Sequence, residues 1–245
     1  MPDVAPNPAS CPSVPEVALR CPAAHLRFWT AAAFFLVLDL GSKSWIFSHL
    51  KPEEVRPVIP HVLEFRRSLN DGAVFGSFTG QTGLFITASV LALLFVLYVF
   101  STSRRSQRVL HVALGMVLAG ALGNLYDRCF VKADVVVVTD SDGRSRSIIG
   151  TLRGDPDGPV VRIGQWPDGT RARAFRREEV REIRHQGVVR DFLNFVPTFP
   201  KWVPRLGGSD IWPWIFNVAD ASLVCGVLLL FIGHWFERPP PQEDS

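Results

Sequence analysis

The residues of this chain whose types and spacing can do chemistry are carboxylates and amides set in apolar surroundings. "WIFNVADASL", 214–223, puts Asn217 and Asp220 one helical turn apart at the head of a long apolar stretch. "GVVRDFLNF", 187–195, sets Asp191 among apolar neighbours. "GALGNLYDR", 120–128, carries Asn124, Asp127 and Arg128 at i, i+3 and i+4, one face of a helix. "DLGSK", 39–43, places Asp39 and Lys43 four apart, again on one face. A charge at bilayer depth costs at least about 2.5–3.5 kcal/mol on insertion scales, so each of these is a functional candidate. Two carboxylates brought together in a low-dielectric site cannot both ionise easily. One keeps its proton, and the pair can act as general base and general acid on a water. For Asp39 and Lys43, a structural ion pair near the outer interface, with Lys43 snorkelling, is favoured over catalysis. Asp127 and Arg128 also read as boundary charges, whereas the amide of Asn124 needs partners.

The elements that must position these groups are apolar runs. The chain has 245 residues, of which 47% are apolar, and they cluster instead of spreading as in a soluble core. Four runs, about 26–47, 83–100, 109–127 and 212–235, approach the ~20 residues that span a bilayer. The second carries no charge and no polar stripe, so a soluble helix made of it would have no face for water. Gly120 and Gly123 in the third would let another helix approach closely. The link 101–108, "STSRRSQR", holds Arg104, Arg105 and Arg108 and no acid, which places it and both termini in the cytoplasm. The segments 48–82 and 128–211 then lie outside, and the carboxylates meet at the outer interface.

The remaining sequence divides into tails and a module. Residues 1–25 are Pro-rich and are expected to be a disordered cytoplasmic tail, with 237–245 a second tail. The start lacks the basic n-region of a cleaved signal peptide, so the first run is expected to be a retained anchor. Residues 131–186 hold short β-branched runs separated by Asp-Gly steps at 142–143, 157–158 and 168–169, which predict a small antiparallel β-module over about 131–178. A helical turn is predicted near "REEVREI". Eleven basic and nine acidic residues over 131–186 describe a solvated surface, with a patch for anionic lipid or peptidoglycan as the weaker alternative. A net charge of +3 is too small to argue for nucleic acid. Cys11, Cys21, Cys129 and Cys225 fit no zinc or redox spacing and no disulfide framework.

Five ordered blocks carry a resemblance: "DLGSK" at 39–43, "NDGAVFG" at 70–76, "GALGNLYDR" at 120–128, "GVVRDF" at 187–192 and "FNVAD" at 216–220. Together with the four runs they resemble the lipoprotein signal peptidase (signal peptidase II) family, over about 26–128 and 187–235. The resemblance implies a membrane α-helical fold: a four-transmembrane-helix bundle with a small extracytoplasmic β-cradle. In that fold 26–128 and 187–236 form the peptidase domain, and 131–186 is an inserted extracytoplasmic β-module. It implies a catalytic dyad of Asp191 and Asp220, supported by Asn70, Asn124, Asp127, Arg128 and Asn217. Asp39 and Lys43 match its structural pair, and Gly72, Ala73 and Phe75 its cradle loop near the substrate. It implies cleavage of diacylglyceryl-modified prolipoproteins just before the modified cysteine, in the bacterial inner membrane among its lipids. No metal or organic cofactor is implied, and inhibition by globomycin-type peptides is. Two departures from the family's usual pattern stand out: Asp127 and Asp191 are 64 positions apart, which the insertion accounts for, and Arg190 stands beside Asp191 where the family commonly has an apolar residue. In an extended stretch alternate side chains face opposite ways, so Arg190 is expected to face away from Asp191. The alternatives are an ion- or proton-coupled transporter and a catalytically inactive lipoprotein-binding relative.

Overall fold

The computed structural model describes residues 17–72, 82–140 and 143–236. Among the described residues there are four α-helices: α1 (Pro22–His49), α2 (Thr82–Thr102), α3 (Arg108–Phe130) and α4 (Val218–Phe236). By length and composition α1, α2 and α3 are apolar enough to cross a membrane; the apolar part of α4, Val218–Gly233, is shorter. Helix α3 lies at the centre, with α1, α2 and α4 packed around it. Its small residues make this possible. A Cβ on Gly120 would stand 2.4 Å from the carbonyl oxygen of Ala219 in α4, and one on Gly123 would stand 2.3 Å from the Asp39 carboxylate of α1. Around Phe28, the rings and aliphatic side chains of α1, α2 and α3 form the apolar core.

The β-strands gather where α1 and α3 end and α4 begins. One sheet has the order β1-β2-β8-β9, from β1 (Val55–Ile59), β2 (Leu63–Asn70), β8 (Val189–Phe195) and β9 (Ile215–Phe216). The other has the order β6-β5-β4-β3-β7, from β3 (Lys132–Thr139), β4 (Ser145–Arg153), β5 (Val160–Gln165), β6 (Thr170–Arg176) and β7 (Val180–Gly187). Both are antiparallel throughout. One face of the five-stranded sheet closes on Val136, Val138, Val161, Ile163 and Val180. On the opposite face Ala133 and Val135 pack with Ile149, Trp166 and with Leu69 of β2, so this sheet lies against the smaller one.

Several sequence expectations are corrected here. The fourth apolar run is not helical from 212: the helix starts at Val218, after the short strand β9. Pro213 disfavours helix at the residue before it and has no N–H to donate, and Asn217 then caps the true start. "REEVREI" is not a helical turn throughout. Only Arg177–Glu179 forms a 3-10 turn, and Val180 and Ile183 then pair with Val138 and Val136 of β3, burying their side chains at strand spacing. Of the three Asp-Gly steps, Gly143 and Gly169 take the positive φ that a tight turn needs, but between β4 and β5 it is Gly154, not Gly158, that does so. Residues 17–25 are structured. Helix α1 begins at Pro22, which suits the first helical position, and the Ala18 N–H donates to the Ser103 carbonyl at 2.8 Å. Cys21, Cys129 and Cys225 are free thiols.

Candidate active site

Strand pairing places the first carboxylate. In the β2–β8 ladder Ser68 stands opposite Asp191 and Asn70 opposite Val189. Asn70 and Asp191 are therefore diagonal neighbours on one face, within reach of an amide. Asn70 Nδ2 donates to Asp191 Oδ2 at 3.1 Å, and Asn70 Oδ1 accepts from the Gly72 N–H at 2.8 Å. Asn70 is thus the last residue of a strand, not a loop residue, and Gly72 follows it at φ 94° with the Phe85 ring of α2 packed against its α-carbon.

A helix cap places the second carboxylate. Asn217 precedes α4 instead of lying on it. Its Oδ1 accepts from the Asp220 N–H at 3.0 Å, and its own N–H donates to Asp220 Oδ2 at 3.1 Å. This reciprocal pair is a capping box that satisfies two donors otherwise left over at a helix start. The same asparagine reaches the first carboxylate: its Nδ2 donates to Asp191 Oδ1 at 2.6 Å and to Asn124 Oδ1 at 3.2 Å. Asn124, in the second-to-last turn of α3, donates to Asp220 Oδ1 at 2.8 Å. Two carboxylates from separate elements are thus held through one residue, Asp191 by the Asn217 amide and Asp220 by its backbone N–H, and each of their four oxygens accepts a hydrogen bond.

Beneath them lies an ion network. Lys43 Nζ sits 2.7 Å from Asp39 Oδ2 and 3.3 Å from Asp127 Oδ2, and donates to Asn124 Oδ1 at 3.2 Å. Lys43 is fully buried, so it does not snorkel: it has three partners inside the bundle and none to gain outside. Asp39 Oδ1 accepts the Ala219 N–H of α4 at 2.9 Å, a second anchor for the start of that helix. Arg190 faces away from Asp191. Its backbone N–H and its guanidinium grip both oxygens of Asp127, at 2.7–3.1 Å. Two cations thus neutralise two anions, which lets four charges stay buried. Arg128 is half-buried, with its guanidinium 5.0 Å from the centre of the Phe85 ring, and its charge acts on Asp220, Asp191 and Asp127.

Electrostatics separate Asp191 from an ordinary acid. It is 2% exposed, and burial, with the charge of Asp220 second, pushes its carboxyl up to about 7. The donors Asn217 and Asn70 and the charge of Lys43 act the other way but are outweighed. Asp220 is only partly buried, so water has access from its side. A buried acid near neutrality beside a wetter carboxylate is an arrangement that can accept a proton from water and supply one to a leaving group.

The structure brings Asp39, Lys43, Asn70, Asn124, Asp127, Asp191, Asn217 and Asp220 into one connected network, with Arg128 and Gly72 at its edge. Ala73 and Phe75 lie outside the described residues. Three contributors escaped the sequence reading: the Ala219 N–H, the Arg190 grip on Asp127, and Phe85. A backbone group has no sequence signature. The Arg190 side chain could be sent away from Asp191 by alternation, but nothing named its partner. Phe85 belongs to a run with no polar residue to draw attention to it.

Apolar helices long enough to cross a membrane, with a hydrogen-bonded carboxylate pair at one end of them, describe a membrane protein with a buried polar cluster. Comparison with known proteins narrows this. The family model for signal peptidase (SPase) II matches residues 31–236. The lipoprotein signal peptidase of Geobacillus kaustophilus is 33% identical over 218 residues, 89% of this chain and 98% of that protein. That of Bacillus velezensis is 30% identical over 219 residues, covering 89% and 100%. A solved bacterial membrane enzyme shares the fold at 21% identity with a TM-score of 0.56, over 92% of this chain and 95% of its own. The chain belongs to the signal peptidase II family.

Proposed function

We propose that this protein is an intramembrane aspartic endopeptidase that removes signal peptides from diacylglyceryl-modified prolipoproteins, cutting just before the modified cysteine. Asp191 and Asp220 form the dyad. The observation that carries this reading is the single residue Asn217, which hydrogen-bonds both carboxylates and starts the helix that bears one of them. With one proton shared, the ionised carboxylate takes a proton from water as the water attacks the scissile carbonyl carbon. The protonated partner gives its proton to the carbonyl oxygen. Collapse of the tetrahedral intermediate then transfers a proton to the leaving nitrogen. Lys43 and Arg190 are paired with Asp39 and Asp127, and the pull of Lys43 on the Asp191 proton is outweighed by burial. Asn70 and Gly72 border the site where the substrate backbone would lie.

In this reading α1–α4 are four membrane spans, with both termini cytoplasmic and the dyad at the outer leaflet of the bacterial inner membrane. Residues 26–128 and 187–236 form the peptidase domain and 131–186 an extracytoplasmic insertion. The site needs no metal, and globomycin-type peptides would compete with substrate. The test is mass analysis of products from purified enzyme with a diacylglyceryl-modified precursor and its unmodified counterpart. A cut immediately before the modified cysteine, blocked by globomycin, is expected. No product, or equal cutting of both precursors, would refute the assignment.

A further inference from the structure

Between β8 and β9 the chain forms a hairpin that takes no part in the carboxylate network. The Phe199 N–H donates to the Ser209 carbonyl, the Gly208 N–H to the Phe199 carbonyl and the Ile211 N–H to the Pro197 carbonyl, each at 2.9 Å, and Thr198 bridges Asp210. At the tip the Val203 N–H donates to the Pro200 carbonyl and the Gly207 N–H to the Val203 carbonyl, both at 2.9 Å. A segment whose backbone groups are paired in this way is a built element, and it fixes where its side chains point. Its large apolar groups are nevertheless turned outward. Trp202 is 82% exposed, and Leu206, Ile211, Trp212 and Trp214 are exposed as well. Lys201 and Arg205, also exposed, stand beside Trp202 and Leu206 at the tip. Apolar groups gathered on one exposed element mark a surface that something apolar covers.

The place of the hairpin in the fold says what that is. Helix α1 exposes two tryptophans, Trp29 near its start and Trp45 near its end, about 24 Å apart at 1.5 Å per residue. Tryptophan favours the two interfaces of a bilayer, and this separation approaches the ~30 Å hydrocarbon core between them. Trp45 therefore marks the outer interface. Its ring lies 6.5 Å from that of Phe65. Phe65 stands opposite Leu193 and Leu193 opposite Phe216, a row across β2, β8 and β9 about 10 Å wide. At the far end of this row the Phe216 ring lies 6.4 Å from that of Trp212, which in turn lies 5.2 Å from Trp214. One cross-strand row thus joins the base of the hairpin to Trp45. On the same side α4 starts at Val218 and turns Val224, Leu228 and Phe231 outward. The hairpin leaves the sheet where the apolar helices end.

The side chains suit that zone. An indole has an apolar body and an N–H for a headgroup, and Lys and Arg keep their charges in the polar layer while their stems lie on apolar surface. We propose that the hairpin 197–211 is an interfacial anchor: Trp202 and Leu206 lie in the headgroup region of the outer leaflet, with Lys201 and Arg205 on lipid phosphates. This rests on the reading of α1–α4 as membrane spans. The anchor has a use for the carboxylate pair. Strand β8, which carries Asp191, runs into the hairpin, and β9 leads out of it to Asn217 and Asp220. A hairpin held at the interface fixes the depth of both acids relative to the bilayer surface.

The test needs no turnover. Full-length protein is reconstituted into phosphatidylcholine–phosphatidylglycerol vesicles, with and without bromine high on the acyl chains. Tryptophan emission is compared between wild type, Trp202→Phe and Trp45→Phe, and the emission lost in each variant reports the deleted indole. The Trp202 share is expected to fall about twofold or more with brominated lipid and to be screened from acrylamide in the water, as the Trp45 share is. Lys201→Glu combined with Arg205→Glu is expected to reduce the lipid quenching of Trp202, most in vesicles that contain phosphatidylglycerol. Trp45 quenched by lipid and Trp202 open to acrylamide would overturn the anchor while the spans stand. Protection of Trp202 only after a diacylglyceryl precursor is added would give this surface to the substrate and overturn the anchor as well. Neither indole quenched by lipid would overturn the span reading together with it.

Discussion

Asn217 gives the sharpest single-residue test, because its side chain has two jobs that different substitutions separate. As the cap of α4 it accepts from the Asp220 N–H, and as a donor it reaches Asp191 and Asn124. Asn217→Ala removes both functions. Asn217→Ser keeps a capping oxygen, but its shorter hydroxyl cannot span to Asp191. Loss of the cap alone is worth about 1 kcal/mol. Loss of a hydrogen bond to a charged group is worth about 1.5–3 kcal/mol, which is about 10- to 150-fold in rate when the contact positions the dyad in the transition state. The serine variant is therefore expected to unfold close to the wild-type temperature and to lose about 10- to 150-fold in kcat/KM. The alanine variant is expected to lose as much activity and about 1 kcal/mol of stability besides. The pH profile adds a readout that mere misfolding would not move. The Asn217 donor holds the Asp191 pKa down, so its removal raises that pKa, and the alkaline limb of kcat/KM shifts to higher pH. That limb belongs to the pair of acids and not to one residue alone. A serine variant with wild-type kcat/KM and an unmoved alkaline limb would refute the assignment of Asn217 as the link between the carboxylates.

Asp191 should cost the fold stability as pH rises. Its folded pKa of about 7 lies above the ordinary 3.8, so its favourable contribution is complete below about 4 and is lost as pH climbs through 7. About three units correspond to ~4 kcal/mol. Asp191→Asn is accordingly expected to be more thermostable than wild type at pH 8, with the gap closing at pH 4 in melting scans of detergent-solubilised protein. Lys43→Met leaves Asp39 and Asp127 buried without their shared cation and is expected to cost about 3–5 kcal/mol. Membrane accumulation and melting temperature read this, and adding Asp39→Asn should recover part of the loss. Gly123→Ala drives a methyl into the Asp39 carboxylate, 2.3 Å away, and is expected to cost about 1–3 kcal/mol in thermal unfolding.

The sequence made the helices and carboxylates legible for a physical reason: both are local properties. An uncharged run such as 83–100 can only be a buried or lipid-facing helix, and a carboxylate in apolar surroundings marks itself by its cost. The tight blocks around Asp191 and Asp220 named both acids before any geometry was known. Non-local facts were out of reach. Lys43 was expected to reach for the interface because its partner Asp127 lies 84 residues away and on another helix. Asn217 was read as helical because periodicity does not register a cap, and Trp-Pro at 212–213 was the overlooked stop. Val180 and Ile183 looked helical at spacing three until the pairing with β3, and the register shift within it, showed them on one sheet face. The docking of the insertion through Arg67, Trp166 and Glu53 joins residues about a hundred positions apart, and no composition signal encodes it.

The central claim is that Asp191 and Asp220 act together as the reacting pair. Its most direct test is the cleavage rate of a diacylglyceryl-modified precursor by purified wild type, Asp191→Asn and Asp220→Asn, each shown to be folded by its melting temperature. Residues that act as a unit fail individually about as badly as together, so each asparagine variant is expected to lose on the order of a thousandfold or more in kcat. A folded variant of either kind that cleaves at the wild-type rate would contradict the account.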